Sequence, residues 1–269
     1  ATLHAGLFDG AERAELELTL SASPLLRLQE ALRYAVHYPY GCVEQTTSCL
    51  MPLYLLRKDP ALVSTALDKE QEIGSYIRVG IDRLFSMQTG KGGLGMWPGA
   101  YAPYDYGSVY ALHFLTMIKA DRELALPEDN FKALQDYVRN IASDWSQSND
   151  RNLFLRAYAL YVLALDGDAD AIRQIQRFDT ITMPRHARYL LAAALARNTQ
   201  DKDRVKMYLS TAASEPYNVY EPYGCLNSEI RNMAIELLAL RQMGDRAEEA
   251  QQIATKLVDF LSERRNGTT

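Results

Sequence analysis

A cysteine and a glutamine three residues apart, Cys42 and Gln45 in the run Gly41-Cys42-Val43-Glu44-Gln45, can be joined through their side chains. On a helix, positions three apart share a face with Cβ atoms about 5–6 Å apart, so rotamer choice brings the thiol sulfur onto the carboxamide carbon. Attack by sulfur with loss of ammonia would close an internal thioester. Such a bond is a stored acyl group: a nucleophile that reaches it takes the glutamyl carbonyl and frees the thiol. Water competes for the same carbonyl, so the bond needs cover. Tyr38 and Tyr40, flanking Pro39 just before Gly41, are placed by sequence to shield it. Tyr101, Tyr104 and Tyr106 could add aromatic surface, although ordinary core packing is the commoner role for tyrosines at that distance.

Gly41 predicts a backbone turn that a β-carbon would obstruct, with Cys42 entering the first turn of a helix. Backbone N–H groups left unpaired there would stabilise charge developing on the attacked carbonyl. The sulfur would be a good leaving group on cleavage and a reactive thiolate afterwards. Glu44 projects to another part of the helix surface and reads as structural, as a capping partner.

The eleven residues Tyr38-Pro39-Tyr40-Gly41-Cys42-Val43-Glu44-Gln45-Thr46-Thr47-Ser48 resemble the thioester motif of the α2-macroglobulin and complement family, and the flanking YPYG and TTS resemble its bacterial branch. Gln88-Thr89-Gly90-Lys91-Gly92-Gly93-Leu94-Gly95-Met96-Trp97 is similar to a Q…G-G-x-G-x-W segment of α/α-toroid proteins. The resemblance implies a single-use covalent protease inhibitor rather than a turnover enzyme. It implies that target proteases are tethered through their amines and that other domains of the same chain control exposure of the bond. It further implies a periplasmic setting, with an inner-membrane tether outside this segment, a role in bacterial defence, and a functional link to a penicillin-binding protein. Family members that prefer hydroxyl targets use a histidine roughly a hundred residues beyond the glutamine. The histidines here are His4, His37, His113 and His186, and none matches that position. Direct attack by amines, chiefly deprotonated lysines, is therefore expected. His113, in an apolar helical run, reads as a packed histidine.

The elements that must position this chemistry are helical. From Ser23-Pro24 onward the spacing is three and four, as in Leu25, Leu28, Leu32 and Val36. Further helices are expected at 43–57, 69–87, 106–119, 127–143, 152–165, 169–177, 184–197, 201–213, 228–243 and 245–264. Some, such as 152–165, are apolar around most of their girth, whereas 245–264 keeps a polar face. Alternation of these two kinds, together with the resemblance, predicts an all-α α/α toroid of about six helical hairpins over residues 23–269. Residues 1–22 differ: Glu15-Leu16-Glu17-Leu18-Thr19-Leu20 alternates with period two, the mark of a short β-like arm, either a plain N-terminal arm or part of a neighbouring β-domain.

Composition excludes several classes. The 269 residues are 48% hydrophobic and 23% charged, values of a folded globular chain. A net charge of −5 with scattered Lys and Arg leaves no basic face for nucleic acid. Three cysteines fit neither a dense disulfide scaffold nor a zinc site, and no metal or cofactor is expected. With Cys42 committed, Cys49 and Cys225 are the candidates for a disulfide in an oxidising compartment, against the common alternative of buried free thiols. Asp166-Gly167-Asp168-Ala169-Asp170 lacks the glycine and glutamate of a calcium loop and reads as a helix cap. The glycines between 90 and 99 follow a helix rather than a strand, which fails the context test for a phosphate cradle, and suggest a turn around Trp97. Two rival functions stand beside the acyl donor. One is an α/α-toroid glycosidase or cyclase using acids such as Asp105 or Glu229. The other is a helical binding scaffold carrying an accidental C-x-x-Q string.

Overall fold

The computed structural model describes residues 41–57, 73–145, 153–212 and 227–263. Among them are ten α-helices: α1 (Val43–Leu56), α2 (Ile73–Ser86), α3 (Asp105–Ile118), α4 (Glu128–Ser143), α5 (Leu153–Leu165), α6 (Ala169–Gln174), α7 (Arg185–Asn198), α8 (Lys202–Ala212), α9 (Glu229–Met243) and α10 (Ala247–Glu263). The described residues contain no strand beyond one isolated bridge between Gln88 and Leu94. The β-like arm, the Ser23 helix and the tyrosines at 38 and 40 lie outside the described residues.

The packing follows the expected alternation. Each odd-numbered helix packs on the next odd one, α1 on α3, α3 on α5, α5 on α7 and α7 on α9, while each even-numbered helix backs its predecessor. Five inner–outer pairs result, the two-layer plan of an α/α toroid.

The layers differ as their sequences do. In α5 every residue from Phe154 to Ala164 is buried, which only a helix covered on all sides tolerates. In α4 burial is confined to Phe131, Leu134, Gln135, Val138 and Ala142, one stripe at helical spacing, and the remaining girth faces water. The small residues Ala187, Ala192, Ala193 and Ala194 of α7 let α5, α8 and α9 all close upon it. Where a 3₁₀ turn (Ile175–Phe178) ends the α6 segment, the expected single helix over 169–177 divides. Asp168 caps α6, its carboxylate accepting from the Asp170 and Ala171 N–H groups at 3.0 Å each, so the acidic run there is a helix start.

At the end of the array that carries the cysteine–glutamine pair, α1 lies close to both α2 and α3. Gly107 of α3 stands where a β-carbon would come within 2.5 Å of Val43 Cγ1 and 2.7 Å of Tyr104 Cδ1. That approach lets the inner helix reach the first turn of α1.

Candidate functional site

Cys42 is the N-cap of α1, with extended backbone (φ −64°, ψ 175°), and Gln45 is its third helical residue. The two form a capping-box arrangement. Its firm hydrogen bond runs from the Cys42 N–H to Gln45 Oε1 at 3.0 Å. The carboxamide is thus folded back over residue 42 instead of extending into water, although Gln45 as a residue is exposed and Cys42 is half-buried. Carbonyl carbon and thiol belong to the same turn, and the carbonyl oxygen is already held by a backbone donor.

Gly41 serves this arrangement through space rather than through an unusual dihedral. A β-carbon there would sit 2.6 Å from Gln45 Cβ and 3.2 Å from Gln45 Oε1, so only a bare Cα leaves room for the folded glutamine. The Gly41 carbonyl is held from two directions. Arg83 of α2 forks onto it with Nη2 at 3.0 Å and Nε at 3.3 Å, and Thr46 Oγ1 donates to it at 3.2 Å. Thr47 Oγ1 donates to the Val43 carbonyl at 2.7 Å.

Two of the N–H groups expected to be unpaired at the start of α1 are engaged. The Val43 N–H donates to the Met96 carbonyl at 3.1 Å. The Cys42 N–H is engaged by Gln45, and the Thr46 N–H closes the first helical bond to the Cys42 carbonyl at 2.9 Å. The donor that faces the Gln45 side-chain oxygen is the Cys42 N–H.

Met96 reaches α1 because the loop from Gln88 to Tyr104 is tied at many points. The Thr89 N–H donates to the Gly93 carbonyl, and the Gly95 N–H to the Met87 carbonyl. Leu94, fully buried, donates its N–H to Ser108 Oγ at 2.8 Å. The Gln88 side chain donates to the Gly92 and Asn130 carbonyls at 2.8 Å each. The expected turn forms at Trp97–Ala100, where the Ala100 N–H donates to the Trp97 carbonyl at 3.2 Å and Gly99 takes a positive φ of 79°, while the Trp97 ring is 48% exposed and the loop packs its fully buried Leu94 inward.

Glu44 accepts from Ser48 Oγ at 3.1 Å, and Ser48 lies 3.3 Å from the Tyr110 hydroxyl. This turns the carboxylate along the helix, and the capping role expected of Glu44 falls instead to Gln45. Behind it the rings of Tyr106 and Tyr110 stack at 5.9 Å, and Tyr106 approaches Tyr158 at 6.4 Å. Burial pushes the Tyr110 and Tyr158 phenols above their ordinary range. Among the three distant tyrosines, Tyr106 is core, Tyr104 packs half-buried beside it and Tyr101 projects into solvent. Cys49 is a buried free thiol whose pKa is raised by desolvation and then by the nearby Glu44. Its candidate partner Cys225 lies outside the described residues. His113 is buried, its Nδ1 2.9 Å from the Tyr158 hydroxyl, and desolvation lowers its pKa to about 4. It is a packed neutral imidazole on an inner helix. Asp105, one acid of the rival hydrolase reading, is bonded by the Tyr137 hydroxyl.

Sequence reasoning missed Arg83 and Met96. Arg83 lies 42 residues from its acceptor on an outer helix, where one arginine among many carries no signal. Met96 acts through its backbone carbonyl, which no side-chain pattern reveals.

No family model matches the chain. Among curated proteins, an α2-macroglobulin homologue of Yersinia pestis is 30% identical over 155 residues, 58% of this chain and 8% of that protein. The α2-macroglobulin of Escherichia coli K12 is 26% identical over 245 residues, 85% of this chain and 14% of that protein. This chain is similar in sequence to bacterial α2-macroglobulins. It spans only about a tenth of their length. Solved α2-macroglobulins share its fold. The native E. coli protein, from domain MG7 to the C-terminus, superposes with a TM-score of 0.72 at 23% identity, covering 91% of this chain and 39% of that one. Salmonella α2-macroglobulin reacted with methylamine gives 0.73 at 24%, covering 92% and 16%. The trypsin-activated E. coli protein gives 0.67 at 24%, covering 84% and 16%.

Proposed function

We propose that this chain is the thioester domain of a bacterial α2-macroglobulin-like protease inhibitor, in which Cys42 and Gln45 form the internal thioester. The observation that carries the reading is the folded-back glutamine, its Oε1 held 3.0 Å from the N–H of the cysteine it would acylate. Attack of the thiol on the carboxamide carbon expels ammonia and leaves the bond strained within one helical turn. A lysine amine of an attacking protease then adds to the same carbon, the carbon–sulfur bond breaks, and the protease stays linked to residue 45 by an amide. Each molecule acts once, so it is a covalent acyl donor and not an enzyme. The neutral, buried His113 supports direct amine attack without a histidine relay.

Relatives whose structures are described as trypsin-activated and as reacted with methylamine support proteases as targets and amines as nucleophiles. The remaining domains of the longer chain would hold the bond covered until a protease cuts elsewhere. The periplasm is the setting in which such capture would defend the cell, and a penicillin-binding protein is the proposed functional partner there. Incubating the intact protein with trypsin and separating the products under denaturing conditions tests the reading. A protease-sized conjugate is expected, absent for Cys42→Ala. Equal conjugate from both proteins would refute it.

A further inference from the structure

One peptide unit carries hydrogen bonds on both of its sides. On its carbonyl side, Gly41 accepts from Arg83 Nη2 at 3.0 Å, Arg83 Nε at 3.3 Å and Thr46 Oγ1 at 3.2 Å. On its amide side, Cys42 donates to Gln45 Oε1 at 3.0 Å. Donors on a peptide carbonyl draw electron density from the nitrogen and strengthen the N–H as a donor, and hydrogen bonds in series polarise one another. A guanidinium gives a stronger bond than a neutral donor, and two of its N–H groups fix the plane of the acceptor as well as its position.

We propose that Arg83 is a positioning residue for acyl transfer: its fork on the Gly41 carbonyl orients and polarises the Gly41–Cys42 peptide, whose N–H binds the oxyanion formed at residue 45. The inference rests on the thioester reading above and assigns it a residue. Both reactions pass through the same charged oxygen. In thioester formation the Sγ–Cδ bond forms, the thiol proton goes to the departing nitrogen, and ammonia leaves. In acylation the amine nitrogen bonds to Cδ, the Cδ–Sγ electron pair leaves with sulfur, and the amine proton passes to the thiolate or to water. In each the negative charge on Oε1 faces the Cys42 N–H, and behind that N–H, across one peptide, stands the Arg83 cation. The neutral Thr46 hydroxyl assists on the same carbonyl. A bond strengthened only as charge develops lowers the barrier rather than merely binding the ground state.

The test uses the intact protein and the variants Arg83→Met, Arg83→Lys and Thr46→Val. Intact mass gives the fraction of each that has lost ammonia, and thiol release under excess methylamine gives the rate constant per intact bond. Removing an oxyanion donor outright costs about 10²–10³-fold. Depolarising one through Arg83→Met is expected to cost about tenfold, with part of it restored by Arg83→Lys, which keeps the charge and loses the fork, and a smaller loss in Thr46→Val. The infrared band of an isotope-labelled residue 45 thioester carbonyl should rise in Arg83→Met, reporting a weaker hydrogen bond. A folded Arg83→Met that never loses ammonia, beside an Arg83→Lys that does, also supports the proposal, because formation crosses the same oxyanion. A wild-type rate constant and an unshifted band in Arg83→Met overturn it. So does a defect that Arg83→Lys shares in full, which makes Arg83 only a tether of α2. A wild-type protein that never loses ammonia refutes the thioester reading itself, a result distinct from either.

Discussion

Replacing Gly41 by alanine perturbs the reactive pair at its tightest contact. The added carbon would lie 2.6 Å from Gln45 Cβ, 3.2 Å from Gln45 Oε1 and 3.3 Å from the Thr46 nitrogen. Carbon atoms in contact prefer about 3.5–4.0 Å, so the mismatch is about 1 Å. Gln45 Cβ is fixed to the helix backbone and cannot rotate away, which leaves displacement of residue 41 or of the whole first turn. Overpacking of this size costs about 1–3 kcal/mol. Charged against the folded-back arrangement, that is about a 5- to 150-fold drop in its population. The fold should survive, because residue 41 lies before α1 and the core of α3, α5 and α7 is untouched. The assay is intact mass for ammonia loss together with thiol titration before and after methylamine, with circular dichroism confirming helicity. Gly41→Ala should show a largely free Cys42 thiol and little ammonia loss. Normal thioester content with a wild-type methylamine rate in a folded Gly41→Ala protein would refute the steric reasoning.

Three further outcomes follow from packing. Ser108→Ala removes the acceptor of the buried Leu94 N–H. An orphaned buried donor costs about 1–3 kcal/mol, to be read as a lower melting temperature and faster proteolysis between Gln88 and Tyr104. Glu236 is fully buried against Arg185 Nε at 2.8 Å; Glu236→Ala breaks that pair and should lower stability by about 3 kcal/mol in chemical denaturation. His113 has a folded pKa of about 4 against an ordinary 6.5. Its neutral form is favoured by folding, so its stabilisation is complete above pH 6.5 and is lost as pH falls toward 4. Between pH 7 and pH 5 wild type should lose about 2 kcal/mol that His113→Gln does not; parallel pH profiles would contradict that burial.

Helix positions were legible where periodicity is strong. The expected segment 127–143 is α4, with Pro127 as its N-cap, and 106–119 is α3 shifted by one residue. The layer of each helix was also legible, because an apolar girth such as that of α5 has no solvent face to offer. The break after Gln174 was not, since Ile175 and Phe178 keep helical spacing while the backbone tightens into a 3₁₀ turn. At the site, Cys42 and Gln45 announce themselves by residue type and spacing. The Arg83 fork and the Met96 carbonyl are products of tertiary folding, in which a distant helix and a loop backbone arrive at the N-terminus of α1. Gly41 was expected to allow a turn that a β-carbon would obstruct; what such a carbon would meet is the glutamine side chain, a contact visible only once that side chain is seen to fold back.

The central claim is that Cys42 and Gln45 share a bond that acylates amines. The most direct measurement treats the intact protein with isotope-labelled methylamine and maps the label by peptide mass spectrometry while counting thiols. The account predicts one label, at residue 45 as the γ-glutamyl methylamide, with one equivalent of new thiol at Cys42. A Cys42 thiol that titrates fully before amine is added, with residue 45 unlabelled, would contradict it.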